Sequence, residues 1–343
     1  MSKEKPDLKA FTLEELESFI RALGQPRYRA AQIYSWIHKG VKEFEQMTDL
    51  PRELRELLAN QARIGKMEIS EVRVSRDGTR KYLLALEDGN AIEAVSMEHR
   101  YGWTACISTQ IGCRMGCRFC ASTIGGIVRD LTAGEMLEQV LVMQGDLGRR
   151  VSNIVLMGSG EPLENYDETM KFLEIVNHPR GINVGMRRIT LSTCGIAPAI
   201  RDLADRRLQI TLAVSLHAPN DELRDRIVPV NRRYPLRTLL DACRYYTETT
   251  GRRVTFEYAL IEGLNDSLEL ARELGRVLRD MLCHVNLIPV NPVDDRPYRP
   301  PTRERVHAFQ NILQERGIPV TIRRSLGGGI DAACGQLRRR HLR

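Results

Sequence analysis

The chain has 343 residues, a formal net charge of +7 and 42% hydrophobic residues, which is enough for a sizeable core in two or three modest domains or one barrel with attachments. No apolar run approaches a membrane span, and the N-terminus MSKEKPDLK lacks the apolar segment of a signal peptide, so we expect a cytoplasmic protein without membrane contact. The positive charge favours a nucleic acid as partner, with arginines that only solvate the surface as the alternative.

The first part of the chain predicts a helical accessory domain, which we assign to residues 1–65. Thr12 and Glu15 have the spacing of a capping box before a helix that ends at Gly24. A second helix is expected over about 27–39, and a third in LPRELRELLANQA. Basic and aromatic residues interleave in the second helix, so it is a candidate RNA contact, although core aromatics beside solvated charges fit equally well.

Residues 66–100 change from a helical period to a strand period. The segments EISEVRVS, RKYLLAL and AIEAVSM each predict a strand, and Asp77-Gly78 and Asp88-Gly89 between them are hairpin turn signals. We therefore predict a small antiparallel β-hairpin module that leads into the next domain.

Residues 101–325 alternate predicted strands with predicted helices, which is typical of a parallel sheet with helical crossovers. Six such units are too few for a closed eight-stranded barrel, so we predict an α/β fold with a partial (β/α)6 barrel and active residues at the C-terminal ends of its strands. A seventh short strand in PVTIRRS (319–325) extends one edge. The predicted strands are 104–109, 153–158, 187–193, 209–216, 253–261 and 284–290, and the predicted helices are 133–146, 167–177, 197–205, 236–250, 268–281 and 302–316.

Three cysteines stand close together directly after the first barrel strand. The segment CRMGCRFC supplies Cys113, Cys117 and Cys120. Three thiolates on one loop suit a [4Fe–4S] cluster whose fourth iron stays open for a small chelating ligand. A structural zinc ion is the alternative, because Cys106 could complete a four-thiolate site. Either use is favoured over a disulfide framework, since thiols stay reduced in the cytoplasm.

Polar residues follow the other barrel strands at the same expected rim. Each residue alone is weak evidence for a functional site, because a single Ser, Asn or Glu after a strand is usually a turn former. Together they bring polar groups from several strands to one edge. They are Gly160 and Glu161 after the second strand, Ser192 at the end of the third, Ser215, Leu216 and His217 at the end of the fourth, and Asn291 after the sixth.

Motifs spread over nearly the whole chain identify a resemblance. The sequence is similar to the RlmN/Cfr family of radical S-adenosylmethionine (SAM) RNA methyltransferases, which implies a radical SAM partial barrel. The segments that carry the similarity are CISTQIGCRMGCRFCAST, RDLTAGE, VLMGSGEPLENYD, ITLSTCGI, AVSLHAPNDELRDRIVPVN, FEYALIEGLND and IDAACGQL. Ser159 departs from the Met that many relatives carry there.

The resemblance also implies roles for individual residues. Cys113, Cys117 and Cys120 hold the cluster, and the polar residues of the rim contact SAM: Gly160, Glu161, Ser192, Ser215, Leu216, His217 and Asn291. Cys334 takes a methyl group from one SAM and a second SAM supplies the radical, so two are used per turnover. Cys106 resolves the resulting protein–RNA crosslink. Cys334 lies in the last segment, 326–343. The GGG run that precedes Cys334 in this segment predicts a mobile loop, and the segment ends in the basic tail RRRHLR.

Glu93 matches the proton acceptor of the family, with a strand-face glutamate as the alternative. Cys194, Cys243 and Cys283 match no catalytic position, and we interpret them as core or partly buried thiols.

The implied reaction is methylation of C2 of an adenosine in the peptidyl transferase centre of 23S rRNA and of the adenosine 3′ of the anticodon in some tRNAs. The C8-methylating resistance branch of the family is the first alternative, and the motifs GCRMGCRFCAST and RDLTAGE favour the C2 branch. A zinc-stabilised RNA-binding protein is a more distant alternative. We expect a monomer that receives electrons from a donor such as flavodoxin or ferredoxin.

Overall fold

The computed structural model describes residues 5–292, residues 296–323 and Leu337. Its N-terminal part holds three helices, α1 (Leu13–Ala22), α2 (Tyr28–His38) and α3 (Arg52–Gln61). Helix α1 begins at the predicted capping box: the Thr12 side chain accepts from the Glu15 N–H, and the Glu15 carboxylate accepts from the Thr12 N–H. The predicted helical character of this region is therefore confirmed.

A ten-stranded sheet forms the centre of the molecule. Its first four strands in spatial order pair antiparallel, and the next six follow in parallel. In spatial order they are β1 (Met67–Val74), β2 (Arg80–Leu86), β3 (Ala91–His99), β4 (Gly102–Cys106), β7 (Val151–Leu156), β8 (Ile189–Thr193), β9 (Thr211–Ser215), β10 (Val254–Leu260), β11 (Cys283–Pro289) and β12 (Val320–Ile322). A separate hairpin consists of β5 (Gln110–Gly112) and β6 (Ile127–Asp130).

Helices connect the parallel strands, as predicted for a partial barrel. The predicted seventh strand is confirmed as β12, which pairs in parallel with β11 at the sheet edge. The connecting helices are α4 (Ala133–Leu147), α5 (Tyr166–Asn177), α6 (Ala197–Asp205), α7 (Asp221–Ile227), α8 (Leu236–Thr250), α9 (Leu268–Val277) and α10 (Arg303–Glu315).

The structure adds two features to the sequence-based prediction. The antiparallel strands predicted in residues 66–100 lead directly into the barrel sheet, because β3 pairs antiparallel with β4, the first barrel strand. The β5–β6 hairpin and α7 were not predicted, since strands of three and four residues and a helix of seven are too short for a clear hydrophobic period. The domain boundaries at residues 65, 100 and 325 stay a prediction.

One continuous apolar core joins the N-terminal helices to the barrel. Polar contacts reinforce the junction: buried Lys9 pairs with Glu138 of α4, and the Tyr34 hydroxyl donates to the Ile175 carbonyl over 3.1 Å. Within the described part of the chain, no helix is long and apolar enough to cross a bilayer.

Candidate active site

A cavity of about 340 Å³ opens at the C-terminal ends of the parallel strands. This is the rim at which the sequence predicts the active residues, and ten of the predicted site residues line it. They are Cys106, Cys113, Cys117, Cys120, Gly160, Glu161, Ser192, Ser215, His217 and Asn291. Leu216 has its side chain in the core, and Glu93 lies beside the cavity without lining it. Cys334 lies outside the residues that the structure describes.

The β5–β6 hairpin holds the three-cysteine loop. The Cys113 N–H donates to the Gly126 carbonyl over 3.0 Å, which closes the loop just beyond the paired strands. Gly112 has φ +82°, a left-handed conformation that a side chain disfavours, and a Cβ there would overlap the Gly126 carbonyl oxygen. Further along the loop, the Arg118 N–H donates to the carbonyl of Ile227, the last residue of α7, over 2.9 Å, so the loop is also attached to α7.

The three thiols of this loop share one cavity wall. Burial raises the pKa of Cys113 to about 12, so the free thiol is protonated and must lose its proton when a metal binds. In a [4Fe–4S] cluster each thiolate binds a different iron, so the sulfurs need to face one cavity and not one point. Among the described residues, no three His, Cys, Asp or Glu side chains are grouped closely enough to hold a single metal ion. The soft donor set and the shared cavity fit the cluster.

Cys194 also lines the cavity and contacts a predicted cluster ligand. Its Sγ lies 3.7 Å from the Cys117 Sγ, and this thiol–thiol contact, with burial, raises the pKa of Cys194. Cys194 directly follows β8 in the sequence. This position after a barrel strand is the sequence signal that could have placed it at the cavity.

Glu161 joins the loop after β7 to the end of β8. Its buried carboxylate accepts the Leu163 N–H over 3.0 Å and the Cys194 N–H over 2.6 Å, and burial raises its pKa to about 7. The preceding Gly160 has φ +112°, and a Cβ there would stand 2.7 Å from the Gln110 nitrogen. The side chains of Thr193 and Cys194 also hydrogen-bond to this carboxylate, so Glu161 is held firmly in the cavity wall.

His217 is held rigidly at the end of β9. Its Nδ1 accepts the Ala259 N–H over 2.9 Å, which places the ring proton on Nε2, and Phe119 packs edge-on with ring centroids 4.7 Å apart. Burial, followed by the charge of Arg224, lowers the pKa of His217 to about 3, so the ring is neutral. A neutral imidazole with one fixed N–H can donate a hydrogen bond to a ligand in the cavity.

The opposite wall of the cavity comes from the antiparallel part of the sheet. Lys81, Val95 and Cys106 stand in register across β2, β3 and β4, and all three line the cavity. The Glu93 carboxylate lies 3.0 Å from the Lys81 Nζ, so Lys81 is the member of this buried pair that faces the cavity.

Leu337, the one described residue after Arg323, packs on the strands of this wall. It is buried with Leu83 and Ala91 in a small apolar cluster apart from the main core. Leu83 is the register partner of Glu93. Leu337, three residues after Cys334 in the sequence, therefore packs on β3, the strand that carries Glu93, and on its neighbour β2.

Sequence reasoning missed two further charged residues in the barrel. Glu257 of β10 lines the cavity beside Ser215, and its carboxylate accepts the Asn286 side-chain N–H over 2.8 Å. Burial raises the pKa of Glu257. Arg224 of α7 is fully buried behind the rim. A single charged residue in a strand or a short helix resembles a solvent-facing one, so the sequence held no usable signal for either.

Comparison with known families and proteins agrees with this architecture. Residues 107–275 match the family model of the radical SAM superfamily, and residues 6–64 match that of the ribosomal RNA large subunit methyltransferase N-terminal domain. The chain is 57% identical over 99% of its length to a probable dual-specificity RNA methyltransferase RlmN of Alkaliphilus oremlandii (strain OhILAs), 99% of which is covered. Identity to the protein of that name from Thermoanaerobacter sp. (strain X514) is 54%, over 98% of this chain and 99% of that one.

A solved structure shows the same fold. The crystal structure of a radical SAM methyltransferase from Sphaerobacter thermophilus superposes with a TM-score of 0.93 at 48% identity, covering 96% of this chain and 98% of that one. The parallel strands, the three-cysteine loop and these matches define a radical SAM protein, a class that implies a [4Fe–4S] cluster and SAM. Within that class, the chain belongs to the RlmN family.

Proposed function

We propose that this protein is a radical SAM methyltransferase that methylates C2 of an adenosine in the peptidyl transferase centre of 23S rRNA and of the adenosine 3′ of the anticodon in some tRNAs. The observation that carries the proposal is the common cavity of Cys106 and the three loop cysteines, in a chain 57% identical to a probable dual-specificity RNA methyltransferase. The net charge of +7 suits an RNA substrate.

The chemistry of adenine explains why such a cavity is needed. The C2 carbon of the base is not a nucleophile, so it cannot attack a SAM methyl group directly. When bound, the cluster and SAM together supply one-electron hydrogen-abstraction chemistry. In the proposal Cys113, Cys117 and Cys120 hold the cluster. The rim residues hold SAM, with His217 offering a fixed N–H; the others are Gly160, Glu161, Ser192, Ser215, Asn291 and the main chain at Leu216.

Three residues of this chain act on the methyl group and the RNA. The Cys334 thiolate accepts a methyl group from one SAM, which leaves as S-adenosylhomocysteine, and after one hydrogen is abstracted from this S-methyl group its carbon bonds to C2 of the adenine. Glu93 accepts the proton that leaves the adenine carbon, in the neighbourhood of the Lys81 ammonium. The Cys106 thiolate attacks the sulfur of Cys334: the S–S bond forms, the bond from that sulfur to the methylene carbon breaks, and the carbon takes a proton, which releases the methylated RNA. Two SAM molecules are used per methyl group transferred.

Other parts of the proposal concern partners and surroundings. We propose a cytoplasmic monomer that receives electrons from a flavodoxin or ferredoxin. The C8-methylating activity is the nearest alternative, since the same cavity serves either carbon of the base. In the zinc-stabilised RNA-binding alternative, Cys106 would be a ligand and no methyl transfer would occur.

Anaerobic purification and three variants test the proposal. We expect a brown protein with iron and sulfide that methylates RNA in the presence of SAM and a reductant. Cys334→Ala should abolish methylation while keeping its iron, and Cys106→Ala should remain covalently joined to RNA, which a denaturing gel detects. Cys283→Ala, a buried thiol that does not line the cavity, is the matched control and should behave as wild type. A colourless protein with stoichiometric zinc, or methylation by Cys334→Ala, would contradict the proposal.

A further inference from the structure

Arg224 is a fully buried charged side chain that no step of the proposed reaction uses. It lies on α7, the short helix beneath the three-cysteine loop. Taking a guanidinium out of water costs several kcal/mol of solvation unless its N–H groups find partners and its charge is offset. The identity of its partners therefore shows what the residue does.

Its hydrogen bonds join the ends of two neighbouring barrel strands. Nε donates to the Leu216 carbonyl over 3.1 Å, and Nη2 donates to the carbonyls of Ser215 and Cys194 over 3.2 and 2.7 Å. Nη1 donates to Asn231 Oδ1 over 2.7 Å. Three of the four acceptors are thus main-chain carbonyls at the ends of β8 and β9, just where the chain turns towards the cavity.

Those two strand ends carry most of the proposed SAM contacts. Ser192 lies two residues before Cys194, and Ser215 and His217 flank Leu216. The planar guanidinium holds its donors at fixed angles, so it sets the spacing of the two segments in a way that a lysine cannot reproduce. The Glu161 carboxylate also holds Cys194, because it accepts the Cys194 N–H while Arg224 donates to the Cys194 carbonyl.

The charge of Arg224 has no carboxylate in direct hydrogen-bond contact within the described residues. Its four acceptors are neutral, and the carboxylates of Asp221 and Asp225 lie one amide away, bonded to Asn231 Nδ2 over 2.8 and 2.7 Å. On the cavity side, α7 packs against Cys117 in a small apolar cluster. The positive charge is therefore embedded in the wall behind a proposed cluster thiolate.

We propose that Arg224 is a positioning residue that holds the ends of β8 and β9 at the spacing SAM requires, and that its buried charge favours the reduced cluster. The inference rests on the proposed function, because it needs the cluster and SAM in this cavity. The two roles have separate consequences. The hydrogen bonds of the guanidinium to the two strand ends, here called the fork, govern SAM affinity, and the charge governs the reduction potential of the cluster. Lysine retains the charge without the fork, and methionine retains neither.

The test compares Arg224→Lys, Arg224→Met and wild type after anaerobic cluster reconstitution. SAM affinity is measured by equilibrium dialysis, and the midpoint potential by a redox titration followed by electron paramagnetic resonance. We expect both variants to bind SAM at least tenfold more weakly. We expect the potential of Arg224→Met to fall and that of Arg224→Lys to stay near wild type. Arg226→Met, on the exposed side of the same helix, is the matched control and should leave both quantities unchanged.

A loss of SAM affinity of less than tenfold in Arg224→Lys would overturn the role of the hydrogen bonds, and an unchanged potential in Arg224→Met would overturn the charge effect. If Arg224→Met does not fold, Arg224→Lys still decides the role of the hydrogen bonds, and Arg224→Gln, which also carries no charge, replaces Arg224→Met in the redox titration: a lower potential supports the charge effect and an unchanged one overturns it. A wild-type protein that takes up no cluster would contradict the proposed function instead, so the two failures are distinguishable.

Discussion

Side chains at the proposed site are held by partners on neighbouring elements of the fold. Lys81 and Glu93 are an example beside Cys106, because both are buried and their charged atoms lie 3.0 Å apart. A buried ion pair contributes little net stability, since desolvation offsets the attraction, but removing one member leaves the other charge in a poor environment. The pair therefore keeps a carboxylate beside the cavity at a position where it would otherwise be costly.

Lys81→Met is expected to lower the free energy of unfolding of the apo-protein by about 3–5 kcal/mol, because Glu93 then loses the ammonium of its ion pair. Urea unfolding followed by circular dichroism measures the loss. The double variant Lys81→Met/Glu93→Gln should recover most of it. As a matched control, Lys66→Met breaks an exposed pair with Glu43 and should cost no more than about 1 kcal/mol. A Lys81→Met protein as stable as wild type would refute this reading of the pair.

At the residue scale, position after a strand was the useful sequence signal. It places Cys113, Cys117, Cys120 and the polar rim residues, and the structure brings ten predicted residues to one cavity. This signal does not identify charged residues that are buried. Lys81 and Arg224 stand in RKYLLAL and DELRDR, patterns that resemble solvated faces, and their burial depends on partners up to 30 residues away along the chain.

At the scale of elements, the short β5–β6 hairpin determines how the three-cysteine loop is presented. The loop leaves β5 at Gly112, which combines φ +82° with a close approach to the Gly126 carbonyl. The hairpin and α7 were missing from the sequence-based prediction, whereas the longer barrel strands and helices were predicted. Short elements depend on the neighbours that cover them, and a hydrophobic period needs more residues than they have.

Gly112→Ala should displace the three-cysteine loop and reduce its iron content several-fold after anaerobic reconstitution. The added methyl group collides with a main-chain carbonyl that cannot move without breaking the Cys113–Gly126 hydrogen bond. Gly125→Ala is the matched control, because it has φ +91° in the same loop but open space around a Cβ. Iron per chain, measured by a colorimetric assay, should fall much further in Gly112→Ala. Equal iron in the two variants would show that backbone conformation, not the close contact, is what matters.

At the scale of the whole molecule, the N-terminal helices and the barrel share one core and a few buried polar contacts. His38 of α2 is one of them: its Nδ1 accepts the Ile182 N–H over 3.2 Å, and its Nε2 is buried with no hydrogen-bond partner. Burial, with the nearby His178, lowers the pKa of His38 to about 3. The folded protein therefore keeps this ring neutral at a pH where the unfolded chain is protonated.

His38 is expected to make the folded apo-protein sensitive to acid. Above pH 6.5 the ring is neutral in both states, and no stability is lost. As the pH falls from 6.5 towards 3 the unfolded state binds a proton that the folded state does not, so stability falls by up to about 2 kcal/mol by pH 5. His38→Gln should remove that part of the slope, and exposed His307→Gln should not. Urea unfolding at pH 7 and pH 5 compares them, and identical slopes in all three proteins would contradict the assignment.

In the proposed function, adenine is methylated at C2 through a methyl group carried on Cys334. The most direct test expresses the protein in a cell that lacks its own enzyme of this family and locates the new methyl group by mass spectrometry of nucleosides from 23S rRNA and tRNA. We expect 2-methyladenosine in the wild-type sample and none with Cys334→Ala. Methylation at C8, or RNA with no new methyladenosine, would contradict it.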